Sequence, residues 1–129
     1  MARPAVFKRA AGYCGDPLNL PVADLASAVP YYERAFGFSI VAQHETPHPR
    51  AILGRDQVQM GLTENGGDSS QDGCYFEVDD VEAAFEELKE RGASPGEIKE
   101  QDAAGQRVRA FFIVAPDGLC YMIAQPVPR

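Results

Sequence analysis

The sequence predicts an α+β fold in which one βαβββ unit occurs twice along a chain of 129 residues. Three observations carry this expectation. Adding 56 to Leu18, Leu20, Val22, Asp24, Leu25, Ala28, Val29 and Tyr32 gives Cys74, Phe76, Val78, Asp80, Val81, Ala84, Phe85 and Leu88. Adding 61 to Asp56, Val58 and Leu62 gives Asp117, Leu119 and Ile123, the difference falling in the loops between. Between the halves, residues 64–73 (ENGGDSSQDG) have almost nothing to bury and read as a linker. One helix matching by chance is easy; two halves matching in the same order mark a supersecondary unit used twice.

Each element follows from local chemistry. Leu18, Leu20 and Val22 alternate with Asn19 and Pro21, the period of a strand with one buried face. Asp24 offers an N-cap to a helix reaching Phe36 and closed by Gly37, with Leu25, Ala28, Val29, Tyr32 and Phe36 as its apolar stripe. Pro30 lacks an N–H and crowds the carbonyl four residues back, which predicts a kink or a non-helical first turn. Strands are expected at 38–42, 51–53 and 58–62. In the second half Cys74, Phe76 and Val78 alternate with Tyr75 and Glu77. Asp80 caps a helix carrying Val81, Ala84, Phe85 and Leu88 and ending at Gly92, with Glu87 and Arg91 as an i,i+4 pair. Ile98 sits in a short edge strand, 108–114 is a strongly apolar strand, and 119–124 is the last. Ala115-Pro116-Asp117-Gly118 is turn chemistry between these two. The chain thus reads as one domain over 1–129, with module one at about 17–63 and module two at about 74–125.

Composition excludes some classes of function. A formal net charge of −7 argues against nucleic acid, whose phosphates need a basic surface. No apolar run approaches the roughly 20 residues of a membrane span. Met1 to Ala11 holds Arg3, Lys8 and Arg9 but no apolar core of a secretory signal, so a cytoplasmic location is expected. Cys14, Cys74 and Cys120 lie far apart without a CxxC pair and read as buried thiols rather than a disulfide framework, zinc site or nucleophile.

Val22-Ala23-Asp24-Leu25, Val29-Pro30-Tyr31-Tyr32-Glu33 and Phe36-Gly37-Phe38 resemble the opening of the glyoxalase / bleomycin-resistance / extradiol-dioxygenase (vicinal oxygen chelate) superfamily. Phe76-Glu77-Val78-Asp79-Asp80-Val81, with Leu88 and Gly92, resembles its second-module opening. Pro116-Asp117-Gly118 matches the family's DPDG hairpin, with Ala115 in place of the first Asp. The resemblance covers about residues 17–125. It implies that the two modules curl into an open, cup-shaped barrel holding the active or binding site, and that two chains pair as a homodimer completing the cup.

In metal-dependent relatives four inward strand positions supply His, Glu or Gln. By the resemblance these positions are Pro17, Gly61, Gly73 and Met122 here, none of which offers a hard donor. No metal and no other cofactor is therefore expected. The two histidines, His44 and His48, lie in QHETPHP, where prolines exclude a helical i,i+4 pair. They read as exposed residues at a loop or strand end; the alternative is a displaced metal site that includes Glu45 or Glu77.

If the positions implied by the resemblance face the cup, then Asn19, Gln59, Tyr75, Glu77, Cys120 and Met122, which share their strand parity, face it too, with Gly61 leaving room. This polar, aromatic and soft apolar lining suits a small organic molecule, cationic or aromatic. Of Phe111 and Phe112, one joins this wall and the other the core; Arg107 and Arg109 share one face, which parity alone does not identify. Three functions follow. The favoured one is a metal-independent binding protein similar to the drug-sequestering bleomycin-resistance branch. The others are a metal-dependent lyase, isomerase or dioxygenase with rearranged ligands, and an interaction domain without a small-molecule site.

Overall fold

The computed structural model describes residues 5–12, 17–45, 48–67, 73–103 and 105–127. Cys14 and linker residues 68–72 fall outside them. The elements are β1 (Phe7–Gly12), β2 (Leu20–Pro21), α1 (Leu25–Phe36), β3 (Ser39–His44), β4 (Arg50–Arg55), β5 (Val58–Thr63), β6 (Gly73–Val78), α2 (Val81–Glu90), β7 (Lys99–Ala103), β8 (Gln106–Val114) and β9 (Cys120–Pro126). They form a mixed α+β fold of two unclosed sheets. A four-stranded sheet has the order β2-β5-β4-β3 and a five-stranded sheet the order β1-β6-β9-β8-β7.

The repeat is kept in the hydrogen-bond register. β2 runs parallel to β5 with Leu20 facing Leu62, and β6 runs parallel to β9 with Phe76 facing Ile123. These are the same pairings carried across by the two sequence offsets. Asp24 and Asp80 take the same extended conformation (φ −148°), and each side chain accepts backbone N–H groups of the helix it starts. Gly37 ends α1 at φ 73°, a left-handed conformation that costs glycine nothing.

Ile98 precedes the edge strand β7 (Lys99–Ala103) instead of lying in it, and two larger expectations change. α1 is helical from Leu25 and runs unbroken through Pro30, so the first turn is not lost. Ala26 and Pro30 are both exposed, and the carbonyl left without a donor faces water rather than protein. The second change is β1, an element the sequence pattern did not predict. It pairs antiparallel with the outer side of β6.

Both modules share one core. Phe7 of β1, Phe36 of α1, Phe38, Phe76 of β6 and Tyr121 of β9 lie in ring contact; Phe36 and Phe76 have centroids 6.3 Å apart, and Phe76 stacks on Tyr121 at 5.5 Å. Such rings bury large apolar areas and take edge or offset geometries at these distances. α1 packs on β4 and β5 while α2 packs on β8 and β9, so each helix covers the inner face of its own sheet. The outer face of each sheet is left for other uses.

Candidate functional site

The outer face of the five-stranded sheet is built in rows. Pairing places Ala11, Tyr75, Met122 and Phe112 side by side across β1, β6, β9 and β8. The next row is Arg9, Glu77, Ala124, Ala110 and Lys99. On the other side of the aromatic row lie Gly73, Cys120 and Val114. Val108, Ala110, Met122 and Ala124 make a small cluster separate from the main core, with half-buried Tyr75 against it. Phe112 is 42% and Val114 66% exposed, so this sheet presents a partly open apolar face. A hollow of about 480 Å³ beside Phe112, lined also by Lys99 and Gln101, extends it towards β7.

Phe112 is the ring that joins this wall, and Phe111, fully buried, belongs to the core. Arg107 and Arg109 take the opposite face: Arg109 pairs with Glu82 of α2 at 2.9 Å, and Arg107 lies 3.6 Å from Glu100 and from Asp102 of β7. With Lys99 at the far end of the same row, the cation beside Glu77 on the outer face is Arg9. Its Nε stands 3.4 Å from Glu77 Oε1, and its guanidinium lies 5.4 Å from the Tyr75 ring centre. Burial raises the Tyr75 hydroxyl above its ordinary value and the Glu77 charge adds to this, while Arg9 acts in the other direction. Sequence parity set Tyr75, Glu77, Cys120 and Met122 on one face, as the strand pairing does, but did not set Arg9 beside them, because β1 itself carried no strand pattern.

The remaining predicted residues lie on the other sheet. Asn19 is exposed, and its Oδ1 accepts from Arg50 Nη1 at 3.3 Å and Thr63 Oγ1 at 3.5 Å. Gln59 lines a different hollow of about 830 Å³ with Arg55, Asp56 and Arg91. Gly61 leaves no room, contrary to the expectation: a Cβ there would lie 2.2 Å from the Leu18 carbonyl oxygen, and Gly61 N donates to Pro17 O. The seven candidates therefore form two groups on two sheets. Parity fixes which face of a strand a residue takes, but not which sheet faces meet.

The metal positions implied by the resemblance do not fit a hard divalent ion. The Leu18 backbone closes the Gly61 position to any ligand side chain, and Met122 offers a thioether packed on Val108 and Ala110. His44, Glu45 and His48 are each exposed, and among the described residues no group of three or more His, Cys, Asp or Glu is placed to hold an ion.

Comparison with known families decides the relationship. The model of the Glyoxalase/Bleomycin resistance protein/Dioxygenase superfamily matches residues 15–120. The chain belongs to this superfamily. No curated protein sequence matches it. Among solved structures, it is similar to a bleomycin resistance determinant encoded on transposon Tn5, at 24% identity over 84% of this chain and 93% of that one, with a TM-score of 0.69. An antibiotic binding protein from Streptomyces sp. CB03234 is 22% identical over 87% and 95%, with a TM-score of 0.66. A bleomycin-binding protein from Streptomyces verticillus, solved with copper(II)-bleomycin, is 17% identical over 84% and 92%, with a TM-score of 0.64. These likenesses establish the superfamily fold. No helix of the described residues is long and apolar enough to cross a membrane.

Proposed function

We propose that this superfamily member is a metal-independent binding protein, a cytoplasmic homodimer that holds a small aromatic or cationic molecule on the outer face of its five-stranded sheet. The observation that carries the reading is the row Tyr75–Met122–Phe112, an aromatic, soft and partly exposed strip bordered by the Glu77 carboxylate. A ring seated there gains stacking and sulfur contacts, and a positive group gains Glu77. Such a protein works by holding its ligand, so it needs neither nucleophile nor general base. Relatives of this fold include a bleomycin-binding and an antibiotic binding protein, which supports sequestration of an organic compound as the role.

Two measurements test the reading. A thermal-shift screen of aromatic and cationic compounds, followed by calorimetry, should give a ligand whose binding Tyr75→Ala weakens by about 0.5–2 kcal/mol and Glu77→Gln by about 1–3 kcal/mol. Unchanged affinity in both variants would place the ligand elsewhere. Elemental analysis of the purified protein should find far less than one equivalent of divalent metal; a stoichiometric transition metal that survives dialysis would overturn the metal-independent part.

A further inference from the structure

Arg9 reaches the outer face by a local irregularity of β1. Phe7 pairs with Val78 and Arg9 with Glu77, so two steps along β1 match one step along β6, with Lys8 as the extra residue. In a regular strand Phe7 and Arg9 would point the same way. Phe7 is buried in the core, so without the bulge Arg9 would be driven towards it. The bulge turns it onto Glu77 and Tyr75 instead, and bulges re-aim side chains in this way at functional edges.

The start of β1 is held firmly. Ala5 N donates to Glu87 Oε1, Val6 N to Asp79 Oδ1 and Phe7 N to Asp56 Oδ2, at 3.1, 2.9 and 2.9 Å. Ala5 O accepts from Arg55, Val6 O from Asp79 N and Phe7 O from Gln57 N. Arg9 thus extends from an anchored backbone, yet its own side chain is 60% exposed against 19% for Glu77. A guanidinium beside a carboxylate and an aromatic ring is the arrangement a bound organic cation would adopt. The chain presents that arrangement with its own side chain.

We propose that Arg9 occupies the cation subsite of the binding face, and that a planar organic cation such as an amidinium or guanidinium binds by exchanging with it. The proposal rests on the functional reading above and adds its ligand class and its gate. Arg9 sets a threshold: a neutral ring meets no competitor at Glu77, whereas a cation must displace a tethered one. Displacement is cheap because the Arg9 side chain is 60% exposed and its single 3.4 Å contact with Glu77 is a half-exposed ion pair, a kind that contributes little. The freed guanidinium moves into water while the ligand takes both the carboxylate and the ring.

The probes are benzamidinium and its neutral counterpart benzamide, titrated calorimetrically into the wild type, Arg9→Gln, Arg9→Lys, Glu77→Gln and Tyr75→Leu. Arg9→Gln should bind benzamidinium roughly three- to tenfold more tightly than the wild type, with a smaller gain for benzamide, which meets Arg9 only over the Tyr75 ring. Arg9→Lys, which keeps the charge, should remain near the wild type. In the wild type, saturating benzamidinium should shift the Arg9 Nε–H resonance towards that of a free arginine, a readout that needs no variant. Weaker or equal benzamidinium binding by Arg9→Gln, with Tyr75→Leu and Glu77→Gln still impaired, would overturn the exchange and leave the binding face standing. Benzamidinium binding indifferent to Tyr75 and Glu77, or absent from every form, would overturn both.

Discussion

Glu87 sits on α2 with only 6% of its surface exposed, and it receives donors from three directions. Arg55 of β4 meets it in a fork, Nη1 to Oε2 at 2.7 Å and Nη2 to Oε1 at 2.6 Å. Arg91 Nε adds a bond at 2.8 Å and Ala5 N one at 3.1 Å. Arg55 also donates to the Phe36 and Ala5 carbonyls and lies 4.4 Å from the centre of the Phe7 ring. Burial alone would raise the Glu87 carboxyl, but the Arg55 and Arg91 hydrogen bonds outweigh it and bring it below its ordinary value. A carboxylate depressed in the folded state adds stability above its unfolded pKa and loses it as pH falls through the folded one. Glu87→Gln removes the forked partner of Arg55 and leaves it only Asp56 Oδ2, 3.2 Å from its Nε, as a counter-charge, and should lower stability by about 1.5–3 kcal/mol at neutral pH. Urea unfolding checks the loss. The gap between wild type and variant should narrow as pH is taken below about 4, where the unfolded carboxyl protonates.

At the scale of elements, α1 is tied to the β8–β9 turn by a buried chain of hydroxyls. Tyr32 donates to Asp117 Oδ2 at 2.7 Å, and its oxygen lies 2.6 Å from the Tyr121 hydroxyl, which therefore donates to Tyr32. The order of the chain makes the two tyrosines unequal. Tyr121→Phe removes a terminal donor and leaves Tyr32 bonded to Asp117, a loss of about 1 kcal/mol. Tyr32→Phe strands the fully buried Tyr121 hydroxyl and should cost more, about 1–3 kcal/mol, in the same denaturation measurement. The elements that could be read from sequence are those whose signals are local: the Asp24 and Asp80 caps, Gly37, and the alternation of Cys74, Phe76 and Val78 all act within a few residues. β1 was illegible for the opposite reason. Its bulge breaks the period of two between Phe7 and Arg9, and the carboxylates that fix its backbone come from positions 56, 79 and 87. The candidate site followed the same division. Tyr75, Glu77, Cys120 and Met122 share a face by strand parity, whereas Arg9 arrives through a bulge and the closing of Gly61 by Leu18 depends on a crossing segment.

At the scale of the whole molecule, the split of the predicted lining between two sheets bears on assembly. The outer face of the five-stranded sheet exposes Phe112 and Val114, and the edge strand β3 of the other sheet exposes Val41 (53%) on the face that carries Gly54 and Gln59. Exposed strand edges and apolar faces of this kind are ordinarily covered. A two-fold pair that sets the five-stranded sheet of one copy against the four-stranded sheet of the other would cover both patches twice over. It would also bring Asn19 and Gln59 of one copy towards Tyr75 and Met122 of its partner, uniting the two groups that a single chain keeps apart. Sedimentation velocity at about 10–50 µM, above the dissociation range of a micromolar pair, should then give twice the chain mass. Val41→Lys and Val114→Lys replace exposed side chains on the outer faces of different sheets, so each should yield a folded monomer with little change in unfolding midpoint. A wild type that sediments only as a monomer would remove the paired cup. The sharper consequence concerns Val41→Lys: its substitution is on the sheet that lacks Tyr75, yet it should weaken ligand binding at Tyr75 as strongly as it weakens pairing. Binding that survives intact in that monomer would mean that the face of one five-stranded sheet suffices, and that Asn19 and Gln59 take no part.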